Sequence, residues 1–148
     1  MDNDPFNSRY SLSLDPSKLD LASIHAFLTR SYWSPEIPRL TVAIAIKNSL
    51  TIGAYLQTGE QIGFARLVTD HATFGYLADV YVLEEHRGQG IASRMVSELL
   101  DLPEVRKFRR ILLATKDAHR VYARLGFENI PDAKPFMQIV RKNIYADE

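Results

Sequence analysis

The stretch from Tyr76 to Val96, Y-L-A-D-V-Y-V-L-E-E-H-R-G-Q-G-I-A-S-R-M-V, constrains the fold more than any other part of the chain. Tyr76 to Leu83 is apolar and rich in aromatic and β-branched residues, the pattern of a strand with a buried face. Arg87 to Ala92, R-G-Q-G-I-A, is a short loop carrying two glycines. Ile91, Met95, Val96, Leu99 and Leu100 then recur at helical spacing, which predicts an amphipathic helix. Strand, glycine loop and helix together aim backbone N–H groups and a helix N-terminus at one point, an arrangement suited to a phosphate. A plain tight connection has the same pattern, so the loop alone leaves both readings open. No Gly-Lys-Ser/Thr follows it, and the third glycine of a dinucleotide fingerprint is missing.

The rest of the chain builds outward from this unit. Arg9 to Leu14 alternates weakly and predicts an edge strand. Asp15-Pro16 is one helix start and Asp20 a competing N-cap, with Leu21, Ile24, Phe27 and Leu28 on one face of the helix. Trp33 to Arg39 holds two prolines, the only tryptophan and Glu36, and reads as a loop or lid. Leu40, Ala43, Ile44 and Lys47 outline a second helix. From Leu50 the period changes to two. Leu50, Ile52, Ala54 and Leu56 alternate with Thr51, Gly53, Tyr55 and Gln57, a turn follows at Thr58-Gly59-Glu60, and Ile62 to Val68 returns as a hairpin partner. Asp70-His71-Ala72 turns into the Tyr76 strand. After the glycine-loop helix, Leu102-Pro103 breaks the chain and Arg110 to Thr115 predicts a short buried strand. Asp117 is placed to cap a helix bearing Ala118, Val121, Tyr122 and Leu125, with Gly126 ending it. Phe136 to Val140 is expected to be a last strand. The order is α+β with a mixed sheet.

Composition excludes several classes. A chain of 148 residues fits one domain, 1–148, with a single core. Acidic and basic residues balance at 18 each, which argues against a dedicated binder of nucleic acid or anionic membrane. There is no cysteine, so disulfides, thiolate zinc sites and a cysteine nucleophile are ruled out, and the four histidines show no ligand spacing. No metal is expected. The start, M-D-N-D-P, has no apolar leader, and no run approaches a membrane span, so a cytoplasmic location is expected.

Two motifs carry a resemblance to a known family. R-G-Q-G-I-A resembles the Arg/Gln-x-x-Gly-x-Gly/Ala signature of the GNAT N-acetyltransferases, and D-V-Y-V-L-E-E-H looks like their preceding strand. About thirty residues on, A-H-R-V-Y-A-R-L-G-F, Ala118 to Phe127, is similar to their second signature, a helix with a tyrosine ending in Gly-Phe. The resemblance is to a small, bacterial-type, single-domain member and is sharp from Gln61 to Phe127. It implies the GNAT acyl-CoA N-acyltransferase fold: a mixed, mostly antiparallel sheet with a splayed parallel pair and flanking helices.

The resemblance also implies a site. Acetyl-CoA would be the cosubstrate, its pyrophosphate on Gly88, Gln89, Gly90, Ile91, Ala92 and Ser93, with Arg87 flanking. The backbone of Val80, Tyr81 and Val82 would pair with the pantetheine arm and supply an N–H to the oxyanion, whereas their side chains serve the core in either case. Thr115 stands where many members carry an asparagine that bonds the same arm. Tyr122 matches the tyrosine that protonates the leaving thiolate; a tyrosine on an apolar helix face alone reads as a core or rim residue, and its place four residues before Gly126-Phe127 points to the functional role. Ala78 stands where polyamine-acetylating members carry a glutamate base. Asp79 is beside it, and strand alternation points the two to opposite faces unless a bulge intervenes. Glu36, His71, Tyr76 and His119 are further candidates for the base. Trp33, Tyr32 and Phe74 would either wall the acceptor, with Glu36 and Tyr76 beside them, or serve as ordinary core packing. The function implied is transfer of acetyl from acetyl-CoA to a primary amine of a small molecule or protein, by direct attack through a tetrahedral intermediate. The alternative is an acyl-CoA-binding sensor or interaction module of weak activity. Members of the family are often homodimers, but no stretch here identifies an interface.

Overall fold

The computed structural model describes residues 5–146. A short helix α1 (Pro5–Arg9) leads into strand β1 (Tyr10–Ser13), and helices α2 (Leu21–Leu28) and α3 (Arg39–Lys47) follow. Strands β2 (Ser49–Leu56), β3 (Gln61–Thr69) and β4 (Phe74–Val82) form an antiparallel meander. Helix α4 (Ile91–Leu100) then carries the chain over to β5 (Arg110–Leu113), which runs parallel to β4, and α5 (His119–Arg124) comes after it. The five strands lie in the order β1-β2-β3-β4-β5, so β1 and β5 are the edges.

Helices cover both faces of the sheet. Ala65 and Phe64 are neighbours on β3, and alternation sends them into different clusters. One cluster joins Ile52, Ala65, Leu67 and Leu77 to Ile91, Met95, Val96 and Leu99 of α4. Those four α4 side chains are buried, and each contributes at most about 1.5–3 kcal/mol relative to exposure, which fixes the helix firmly on the sheet. The other cluster gathers Ile24 and Leu28 of α2, Ile37, and Val42 of α3 against Phe64 and Tyr81.

Four expectations are corrected. Asp15-Pro16 starts only a single 3₁₀ turn, and Asp20 caps α2 by accepting from the Ser23 backbone N–H. In α3 the buried residue is Val42, while Leu40 and Ile44 are exposed. That helix is apolar nearly all round, so periodicity did not fix its inward face. Asp117 does not cap α5; the Thr115 hydroxyl instead accepts from Ala118 N–H at 3.1 Å. Phe136 to Val140 is not a strand. Phe136 places its ring 5.4 Å from the Arg110 guanidinium, and its N–H closes a turn onto Ala133.

Candidate active site

The site begins where two strands part. The parallel ladder between β4 and β5 runs from Phe74↔Arg110 to Leu77↔Leu113 and is not continued beyond that pair. β4 goes on to Val82 while the chain after Leu113 turns off toward α5. A cleft of about 470 Å³ opens there, with Ala78, Asp79 and Val80 on one side and Ala114, Thr115, Lys116 and Tyr122 on the other.

A bulge in β4 shapes the first side. Phe64 pairs with Tyr81 and Arg66 with Ala78, so one residue of β3 faces two of β4, Asp79 and Val80. Asp79 takes a left-handed backbone, φ 56°, a conformation that aspartate and asparagine tolerate better than most side chains. The bulge resets the alternation, so Ala78 and Asp79 line the same cleft. Asp79 Oδ2 accepts from Arg66 Nε at 2.8 Å, and Oδ1 accepts from the Trp33 indole N–H at 2.9 Å. Arg66 also donates to Ser49 Oγ at 3.2 Å. The 31–36 segment is thus fastened to the sheet, and it brings Tyr32, Trp33 and Ser34 into the lining. Tyr122 faces them across the cleft. Burial, with a smaller effect from Tyr32, pushes its phenol above the ordinary value.

The glycine loop lies at the other end of β4. Gly88 and Gly90 both have φ 78°, and a Cβ built on either would meet no atom within 4 Å. The N-cap, Gly90, makes no side-chain hydrogen bond to α4, whose first-turn N–H groups have no intrahelical acceptor. Arg87 Nε donates to the Val82 carbonyl at 2.9 Å and pins the loop to the strand end. An uncapped helix start with two left-handed glycines fits an anionic group.

Residues 19–127 match the model of the Acetyltransferase (GNAT) family. The chain belongs to that family. A candidate acetyltransferase of Gibberella zeae, FG08082, is 30% identical over 141 residues, covering 81% of this chain and 80% of that one. A solved GNAT-family protein from Xanthomonas campestris is 38% identical with a TM-score of 0.88, covering 93% of this chain and 96% of that chain. The GNAT N-acetyltransferase YhbS of Escherichia coli, solved in complex with CoA, is 25% identical with a TM-score of 0.63 over 81% of this chain and 69% of its own.

Within this GNAT fold, the structure brings together Trp33, Tyr76, Asp79, Val80, Thr115 and Tyr122 in one lining. Tyr81 and Val82 are buried, Tyr81 stacked on Phe27 at 3.9 Å between ring centres. Glu36, exposed with φ 66°, and Phe74, at the start of β4, lie outside the lining. His71 is occupied with Glu104 at 3.1 Å, and His119 is exposed on α5 outside the lining. Two charged lining residues escaped the sequence reading, Arg66 and Lys116. The signal for Arg66 was a lone charge inside the apolar strand I-G-F-A-R-L-V. Among the described residues no helix is long and apolar enough to cross a membrane, and no three His, Cys, Asp or Glu side chains gather as a metal site.

Proposed function

We propose that the protein transfers the acetyl group of acetyl-CoA to a primary amine by direct attack. The observation that carries this reading is the cleft between the parting parallel strands. It joins a bulged backbone, a half-buried tyrosine and an aromatic entrance in one lining. Gly88 to Ser93 would hold the pyrophosphate, with Arg87 fixing the loop. Thr115 and the backbone from Val80 to Val82 would flank the pantetheine arm. Arg87 already takes the Val82 carbonyl, which leaves Val80 and Tyr81 as the nearer backbone partners.

The acceptor amine enters beside Tyr32 and Trp33 and attacks the thioester carbonyl carbon. A backbone N–H of the bulged segment stabilises the oxyanion, an effect typically worth about 3–4 kcal/mol. As the carbon–sulfur bond breaks, Tyr122 gives its proton to the sulfur. The raised phenol is fully protonated at neutral pH, as this role requires. The proton lost by the amine restores the tyrosine by way of solvent. Asp79 has both oxygens engaged; we assign it to positioning Trp33 and Arg66 rather than to proton abstraction. A lysine-like amine is only about one part in 2,500 neutral at pH 7, a handicap of roughly 4.6 kcal/mol, so amines of lower pKa are favoured acceptors.

Thiol release from acetyl-CoA across an amine panel, with products identified by mass spectrometry, tests the proposal. Turnover with an N-acetylated product is expected. Tight CoA binding without turnover for any amine would instead support the binding-module reading.

A further inference from the structure

The charges around the cleft do not cancel. Its lining holds three charged side chains, Arg66, Asp79 and Lys116. Arg66 and Asp79 neutralise one another at 2.8 Å, and the second Asp79 oxygen is held by Trp33. Lys116 is left over. It is exposed and forms no ion pair among the described residues; its Nζ stands 5.2 Å from the centre of the Tyr32 ring. The ring face holds the ammonium by cation–π attraction without neutralising it. A second ammonium on an acceptor, as in a polyamine, would meet this charge and find no carboxylate with an open oxygen in the lining.

The wall around Lys116 is aromatic. Tyr32, Trp33 and Tyr76 are 67%, 40% and 39% exposed, and Tyr32 and Trp33 meet edge to face at 5.0 Å. The Trp33 N–H is already donated to Asp79, so the indole offers a new ligand its apolar surface. The cleft of about 470 Å³ has to hold the acceptor together with the acetyl end of the cosubstrate, which favours a small acceptor.

We infer that the acceptor is a small primary amine on a flat, apolar body that also bears a carboxylate, with Lys116 pairing the carboxylate and Tyr32, Trp33 and Tyr76 receiving the body. This rests on the acetyl-transfer reading and adds the acceptor class to it. Lys116 is a specificity residue: it selects among amines and takes no part in bond making.

The test compares 4-(aminomethyl)benzoate with 4-(aminomethyl)benzamide, which share ring and amine and differ in charge, and includes spermidine. The wild-type protein is expected to favour the benzoate by roughly two- to fivefold in kcat/KM, with spermidine poorest. Lys116→Gln should bring the benzoate-to-benzamide ratio close to one through a higher KM for the benzoate, and Lys116→Arg should restore it. Calorimetry of both ligands on CoA-saturated protein reads the same ratio without turnover. A preference seen in binding with no acetylation of any amine would overturn the acetyl-transfer reading and keep only the pairing of Lys116 with a ligand carboxylate. Equal or better acetylation of the benzamide or spermidine would overturn the inference and leave acetyl transfer standing. A Lys116→Gln variant with the wild-type ratio but weaker acetyl-CoA binding would also overturn it, by placing Lys116 against the cosubstrate.

Discussion

Replacing Asp79 with asparagine isolates the charge at the joint between the sheet and the acceptor wall. Asparagine tolerates the left-handed backbone at φ 56° and is nearly isosteric, so strain and packing stay almost constant. The hydrogen bonds cannot. Asp79 accepts at both oxygens, from Trp33 and from Arg66. An asparagine has one oxygen, and either orientation of its amide turns an NH₂ toward one of those donors. The Arg66 and Asp79 side chains are only 17% and 7% exposed, so the pair behaves as a largely buried one. Removing one partner of such a pair costs about 3–5 kcal/mol. Arg66 keeps Ser49 as an acceptor, which argues for the lower end, about 3 kcal/mol. In a chain of 148 residues, that corresponds to a fall in melting temperature of roughly 6–12 °C. Calorimetry measures the fall. Emission from Trp33, the only tryptophan, reports the acceptor wall directly and is expected to change. The acceptor KM should rise more than the acetyl-CoA dissociation constant. A melting temperature within about 2 °C of wild type, with an unchanged emission spectrum, would refute the claim that Asp79 joins the wall to the sheet.

Three further outcomes are expected. Tyr122→Phe should lower kcat by about 10²-fold, the lower end for loss of a general acid, with acetyl-CoA affinity and melting temperature little changed; turnover within about twofold of wild type, with chemistry rate-limiting, would remove Tyr122 from the mechanism. Gly90→Val should leave the fold standing, because a Cβ there meets no atom within 4 Å, at a cost of about 1–2 kcal/mol for the left-handed backbone. CoA affinity should fall by about tenfold or more as the side chain fills the phosphate approach, and unchanged affinity by calorimetry would show that the cosubstrate lies elsewhere. Burial, aided by Asp15 and Asp20, pushes the Tyr55 phenol up to about 12. Its pKa is raised on folding, so its contribution to stability is complete below about pH 10 and is lost as pH rises toward 12. The Tyr55 hydroxyl is buried without a hydrogen-bond partner among the described residues, so Tyr55→Phe should raise stability by about 1 kcal/mol and flatten that alkaline decline; an equally steep decline in the variant, followed by melting against pH, would contradict this.

Strong periodicity made much of the fold legible. The Ile91, Met95, Val96, Leu99 stripe had a polar side, so only one face of α4 could turn inward; the period-two run from Leu50 marked a strand, and helices on both sheet faces bury Thr51 and Tyr55 as well as Ile52 and Ala54. α3 lacked that contrast, and Val42 rather than Leu40 or Ile44 became its buried residue. The apolar content of Phe136 to Val140 resembles a strand's, but a strand exists only when a neighbour accepts its ladder, and sequence alone does not state whether β5 offers that edge. The candidate site was legible in its cosubstrate half, where the glycines mark special backbone angles. It was not legible at the acceptor half. There the decisive angle falls on an aspartate rather than a glycine, and the decisive contact joins residues 33 and 79. The bulge turned Asp79 into the cleft, and its two hydrogen bonds gave it a structural task that a one-dimensional reading could only leave open.

The indole hydrogen bond from Trp33 to Asp79 also has a consequence for how such a protein can diverge. Nearly everything proposed to hold the cosubstrate lies between residues 80 and 122, on elements locked by the α4 core. The 31–36 part of the acceptor wall comes from a separate piece of chain and is fastened to β4 through that one indole. Its neighbouring positions can change identity while the tryptophan keeps its grip. New acceptors can then be tried by substitution in a six-residue segment, with the cosubstrate half of the machine left unaltered.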